Sequence, residues 1–179
     1  MKIIKTNFTG LKIIKLKKNK DKRGYLIETF RKEKIYDKNL IFDYSVFSKK
    51  NVIRGFHFQY KYPQAKYITV LKGKILDCVV DLRKNSKTFG KIFKIELSEK
   101  NCKSLYIPEG FGHAYYSISK INIIYYKLSN YYHPKYEDGI IWNDKSLRIN
   151  WPTKKPIVSK KDKMLKTFDF FKKKINIFN

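Results

Sequence analysis

The chain has 179 residues, 42% of them hydrophobic and 16% aromatic, enough to bury a core in one domain and too apolar for a disordered polymer. Its formal charge is +26, yet only five of its 41 basic residues are arginine (Arg23, Arg31, Arg54, Arg83 and Arg148). Lysine, asparagine, isoleucine, tyrosine and phenylalanine share A/T-rich codons. The excess therefore reads as charge spread over the surface, not as an arginine-built nucleic-acid site, and leaves room only for nonspecific polyanion binding at low salt.

In chain order, the basic N-terminus MKIIKTNFTGLKIIKLKK has no unbroken apolar run, so no signal peptide is expected. Short strands are expected at 11–17 and 24–30 around the turn NKDKRG, and one or two helical turns within 31–40. Further strands are expected at 41–47, 52–60, 66–72, 74–82, 91–97, 104–107, 112–118 and 121–129, separated by glycine, proline and serine turns. In KIFKIEL the alternation turns Phe93, Ile95 and Leu97 inward. Many short strands without long helical patterns between them indicate an all-β sandwich or barrel. Residues 130–156 read as a loop rich in Tyr, Trp, Asn and Pro, in which Trp142-Asn143-Asp144 reads as a loop-fixing cluster. A helical tail is expected from about Asp162, with Met164, Leu165, Phe168 and Phe171 on one side. With no repeat or linker, residues 1–179 form a single domain. Cys78 reads as a buried small hydrophobe and Cys102 as a loop thiol; together they suggest neither a disulfide framework nor a zinc site. No stretch approaches the ~20 apolar residues of a membrane span, and a cytoplasmic protein with no membrane partner is expected.

The chemistry concentrates in NVIRGFHFQYKYPQAKYITVLKGK, residues 51–74. Alternation puts Gly55, His57 and Gln59 on one strand face and Phe56, Phe58 and Tyr60 on the other. Arg54 and Lys66 nearby suit an anionic ligand. A metal reading would join His57 to His113, but Gln59 stands where a further histidine would be needed, and an amide is a poor ligand beside imidazole. There is no GxSxG elbow and no glycine-rich phosphate loop. What remains is acid–base chemistry on a carbonyl-bearing substrate, with His57, Lys66 and a tyrosine as base, cation and acid.

The segments RGYLIETF (23–30), SKKNVIRGFHFQ (48–59), KYITVLKGKILDCVVDLRKNSKTFGK (66–91), LSEKNCKSLYIPEGFGHAYY (97–116), YYKLSNYYHPKYEDGIIWND (125–144) and INWP (149–152) resemble, in order and spacing, the dTDP-4-dehydrorhamnose 3,5-epimerase family. The resemblance implies a cupin jelly roll and a homodimer. It also implies an isomerase without cofactor or metal that inverts C3 and C5 of a 4-keto-6-deoxy nucleotide sugar, in dTDP-rhamnose and polysaccharide (O-antigen) biosynthesis. Carried over, His57 matches the general base and Asp162, in VSKKD, the carboxylate that orients it. Lys66 matches the cation at the C4 oxygen, and Tyr126 the acid, with Tyr125 its one-residue alternative. Arg54 matches the pyrophosphate-binding arginine. Arg23 and Glu28 match nucleotide contacts reached from the partner subunit, and Gln59, Asp77, His113 and Tyr131 match pocket-lining positions. Two places depart from the pattern. Leu26 lies where the family has an aromatic stacking residue, and Phe42-Asp43-Tyr44 lies where it has Gln-x-Asn. The acid–base set is thus better matched than the recognition set. A monoepimerase, a 3,4-ketoisomerase, a non-catalytic sugar-nucleotide-binding cupin and a basic nucleic-acid-binding barrel are the alternatives.

Overall fold

The computed structural model describes residues 1–35 and 39–173. Its first sheet has six antiparallel strands: β1 (Lys2–Lys5), β2 (Lys12–Lys15), β5 (Phe42–Lys49), β7 (Lys66–Lys72), β10 (Lys103–Ile107) and β12 (Ile121–Leu128), in the order β1-β2-β10-β7-β12-β5. The second has five: β6 (Ile53–Gln59), β8 (Lys74–Asp81), β9 (Ile92–Ser98), β11 (Phe111–Ser117) and β13 (Glu137–Gly139), in the order β13-β6-β11-β8-β9. A separate hairpin pairs β3 (Lys18–Asp21) with β4 (Gly24–Ile27). The two sheets face each other as a cupin jelly roll.

Alternation along β8 explains how one sheet is buried on both faces. Ile75 and Val79 point into the core between the sheets, where Ile68, Leu105, Ile124 and Leu128 of the six-stranded sheet meet them. Cys78 and Val80 point the other way, against Ile140, Leu147, Trp151, Phe168 and Phe171 of the C-terminal segment. Residues 140–171 therefore act as a cover for the five-stranded sheet. Burying Phe168 and Phe171 there contributes roughly 2–3 kcal/mol each. The cover is pinned by Asp144, whose carboxylate accepts from the Ser146, Leu147 and Phe168 backbone N–H groups at 2.9, 3.1 and 2.8 Å. Trp151 Nε1 donates to the Trp142 carbonyl at 2.8 Å, so the Trp-Asn-Asp cluster fixes the loop as expected.

Three strands escape the sequence reading. β1 and β3 are nearly all exposed, so neither carries an apolar alternation, and β13 spans only Glu137–Gly139. The expected NKDKRG turn is shorter than its motif, because β3 runs on to Asp21. Within 31–40 there is a single 3-10 turn at Lys32–Lys34, and residues 36–38 of that expectation lie outside the described residues. The expected tail helix is two short pieces, α1 (Lys160–Lys163) and α2 (Phe168–Lys173), and its residues 174–179 lie outside the described ones. Met164 ends α1 and is 79% exposed, so it leaves the apolar side that Phe168 and Phe171 do form. Among the described residues no helix is long and apolar enough to cross a membrane.

Candidate active site

Between the sheets lies a cavity of about 200 Å³ lined by Tyr44, Val46, Arg54, His57, Lys66, His113, Tyr115 and Tyr126. His57, Arg54, His113 and Tyr115 come from the five-stranded sheet, and Tyr44, Val46, Lys66 and Tyr126 from the six-stranded one. The opposed walls of a sandwich stand about 10 Å apart, which is room for one flat ring.

Strict alternation would turn Arg54 away from His57, three positions further on. The ladder breaks there: His113 pairs with His57 and Tyr115 with Arg54, two steps on β11 against three on β6. The extra residue is a β-bulge, which brings both side chains to one face. Gly55 makes it possible. Its φ is +113°, and a Cβ on it would lie 2.3 Å from the His113 carbonyl oxygen and 2.7 Å from Ala114 Cα, so no larger residue fits.

The same glycine helps hold His57. Asp162 Oδ2 accepts from the Gly55 N–H at 3.2 Å, and Oδ1 pairs with His57 Nε2 at 2.8 Å. α1 is built to present this carboxylate: Ser159 caps it, accepting from the Asp162 N–H at 3.0 Å. Burial raises the Asp162 pKa, but the hydrogen bond and charge of His57, then Gly55 and Ser159, outweigh it and hold it below the usual carboxylate range. An ionised Asp162 accepts the Nε2 proton and leaves Nδ1 as the basic nitrogen.

Lys66 reaches the cavity from the start of β7, 8% exposed, and its Nζ donates to the His57 carbonyl at 3.3 Å. Burial pulls its pKa down to about 8, partly opposed by Glu137 and Asp77. Tyr126 is 4% exposed, and burial raises its pKa well above the ordinary phenol value, keeping it protonated. Its neighbour Tyr125 points out of the barrel and donates to Asp43 at 3.0 Å, which resolves the one-residue ambiguity. Tyr44, directly opposite Tyr126 on β5, stacks on it with centroids 5.1 Å apart and planes 22° apart.

His113 donates to Asp77 at 2.9 Å, and burial lowers its pKa despite that carboxylate. Arg54 Nε donates to Ser48 Oγ at 3.2 Å, which is hydrogen bonded in turn to the Tyr115 hydroxyl at 2.8 Å.

Six expected site residues do not line this cavity: Asp162 and Asp77 touch it only through His57 and His113, and four others lie elsewhere. Gln59 was expected there, but its amide is consumed by loop backbone: Nε2 donates to the Tyr62 and Tyr131 carbonyls, and Oε1 accepts from the His133 N–H at 2.7 Å. Tyr131 is 58% exposed and packs on Phe42. Arg23, in the β3–β4 hairpin, pairs with Asp21, and Glu28, just beyond β4, pairs with Arg31. Conversely, Tyr115 and Tyr44 line the cavity without having been expected there, and Glu137 lies close enough to perturb His57 and Lys66. Tyr115 shares a strand face with His113, a signal that alternation does carry. In the sequence Tyr44 stands out only as a departure from the family pattern. Glu137 is half-buried in tiny β13, where no pattern marks it; Lys161 and the Tyr132 hydroxyl bond to its carboxylate, and its pKa is lowered through Lys161 and then His57 in spite of burial.

A jelly roll in which one cavity joins a carboxylate-backed histidine, a buried phenol on the facing sheet and the lysine that opens β7 defines a cupin-type protein. The family model for dTDP-4-dehydrorhamnose 3,5-epimerase matches residues 5–169. The dTDP-4-dehydrorhamnose 3,5-epimerase of Methanothermobacter thermautotrophicus is 40% identical over 170 residues, covering 90% of this chain and 91% of its own. That of Escherichia coli K12 is 38% identical, with 94% and 95% covered. The crystal structure of the Legionella pneumophila Philadelphia 1 dTDP-6-deoxy-D-glucose-3,5-epimerase, in complex with dTDP-4-keto-L-rhamnose, superposes with a TM-score of 0.89 at 36% identity, over 94% of this chain and 93% of that one. The chain belongs to the dTDP-4-dehydrorhamnose 3,5-epimerase family.

Proposed function

We propose that this protein inverts C3 and C5 of a nucleotide-linked 4-keto-6-deoxyhexose, converting dTDP-4-dehydro-6-deoxyglucose into dTDP-4-dehydrorhamnose. The observation that carries this reading is that His57 and Tyr126 line one cavity from opposite sheets, with Lys66 beside them. The substrate's own C4 ketone acidifies the C–H bonds at C3 and C5. His57 Nδ1 takes one of these protons, and the C–H electron pair moves into the ring to leave an enolate on the C4 oxygen, opposite the Lys66 ammonium. The enolate collapses back to the ketone as its carbon takes the Tyr126 proton on the other ring face. The resulting phenolate and imidazolium reset by proton exchange with water, and the sequence repeats at the second carbon.

The cavity is below the 300–1,000 Å³ of whole-ligand pockets, so it accommodates the hexose and leaves the nucleotide outside. Exposed Arg54 then meets the pyrophosphate. Arg23 and Glu28, exposed in and just beyond the hairpin, are available to a second copy's site, which fits a homodimer. The test is turnover of dTDP-4-keto-6-deoxyglucose in deuterated water, with one deuteron expected at C3 and one at C5. A single labelled carbon would make the protein a monoepimerase. No label at all would reduce it to a binding protein.

A further inference from the structure

We propose that Tyr44 is a positioning residue for the acid: by stacking on Tyr126 it fixes the face of the sugar to which the proton is returned. This rests on the assignment of Tyr126 as the proton donor. Three observations point to Tyr44. The two residues are directly paired across β5 and β12, so their rings leave the sheet side by side on its inner surface. The rings are close to parallel, 5.1 Å apart and 22° from coplanar, an offset-stacked arrangement. Their exposures differ sharply: Tyr44 is 38% accessible and Tyr126 only 4%. β5 is the edge strand of its sheet, and Tyr44 covers the acid from that side.

The remaining surroundings of Tyr126 are buried and packed. His113 meets its ring edge-on at 6.0 Å and is itself held by Asp77. The ring also packs into the core with Ile68 and Leu128. Tyr44 is therefore the wall of the phenol's socket that depends on an edge strand. Such a wall matters for stereochemistry more than for binding. Once His57 has made the enolate, the carbon can be reprotonated from the His57 side, which restores the substrate, or from the Tyr126 side, which inverts it. The split depends on how often the phenol is in line, and small misplacements of a catalytic group are costly. A Tyr126 free to swing, or wetted from the β5 edge, would lose that competition without altering the base.

The experiment compares Tyr44→Leu and Tyr44→Phe with the unaltered protein in deuterated water. It scores deuterium washed into recovered substrate against deuterium in inverted product. Tyr44→Leu is expected to raise the ratio of exchange to inversion roughly tenfold, less than the 10²–10⁴ of losing a general acid outright. Tyr44→Phe rebuilds the stack and is expected to restore the original ratio. The ratio is taken within folded molecules, so partial misfolding lowers both terms and leaves it unchanged. An unaltered ratio in Tyr44→Leu, or an equal rise in Tyr44→Phe, would overturn the proposal. Failure of the underlying assignment looks different: Tyr126→Phe would then invert both carbons at the normal rate.

Discussion

His57 and His113 occupy directly opposed positions on β6 and β11, and each bonds through Nε2 to a buried carboxylate, at 2.8 and 2.9 Å. They differ in what surrounds the pair. The His57 side chain is 27% exposed and the His113 side chain 5%. Asp162 arrives from α1, 105 residues away, and is further satisfied by the Gly55 N–H. Asp77 comes from the adjoining strand β8, and no hydrogen bond to its Oδ1 is found among the described residues. Burial lowers the His113 pKa, so at neutral pH this ring is an uncharged donor to Asp77 and a wall for Tyr126. The same two side chains thus make a half-buried pair open to the cavity at His57 and a buried strut at His113.

The sharpest way to break this contrast is to remove the base. His57→Ala should lower exchange at both carbons by about 10³-fold; near-normal epimerisation by this variant would falsify the assignment. A smaller effect separates the two carboxylates. Asp162→Asn should cut turnover by about 10- to 100-fold with KM little changed, since the amide still orients the ring but cannot stabilise its cation. The matching Asp77→Asn should leave the ratio of exchange to inversion alone and instead lower stability by about 2 kcal/mol, read as a fall in Tm. If the two asparagine variants exchanged these phenotypes, the roles of the pairs would be reversed.

The mildest test concerns Lys66, which donates to the His57 carbonyl and feels the charge of Asp77. Its pKa falls from 10.5 to about 8 because burial penalises the ammonium. Activity should decline as pH rises through about 8, when the cation facing the enolate is lost. The stability effect has the opposite sign. Between about 8 and 10.5 the unfolded chain holds more protons than the folded one, so the Lys66 contribution to stability increases with pH. A kcat profile flat to pH 10 would remove Lys66 from the chemistry.

Much of the fold could be read from the chain because it is local. KIFKIEL and the buried run around Cys78 follow from one side chain per face per two residues; the same period lets only one of Tyr125 and Tyr126 face inward, and the fold makes it Tyr126. β1 and β3 could not be read in that way, since a strand wetted on both faces has no apolar period. Motif spacing singled out His57, Lys66 and Tyr126, and the three do meet in one cavity. Gln59 shows the limit of that logic: a polar residue two places from His57 lies on the expected strand, yet its amide is spent on Tyr62 and on the 131–133 loop that passes it.

Residue order alone pointed to a β-rich chain and to His57, Lys66 and Tyr126 as one group, because alternation and motif spacing depend only on near neighbours. Tertiary structure decided the rest. The bulge at Gly55 turns Arg54 to the same side as His57 because the backbone of β11 passes too close for any side chain there. The C-terminal cover carries Asp162 across 105 residues to the imidazole. Edge strand β5 lays Tyr44 on Tyr126. Each of these is a contact between segments distant in the chain, which no local period can encode.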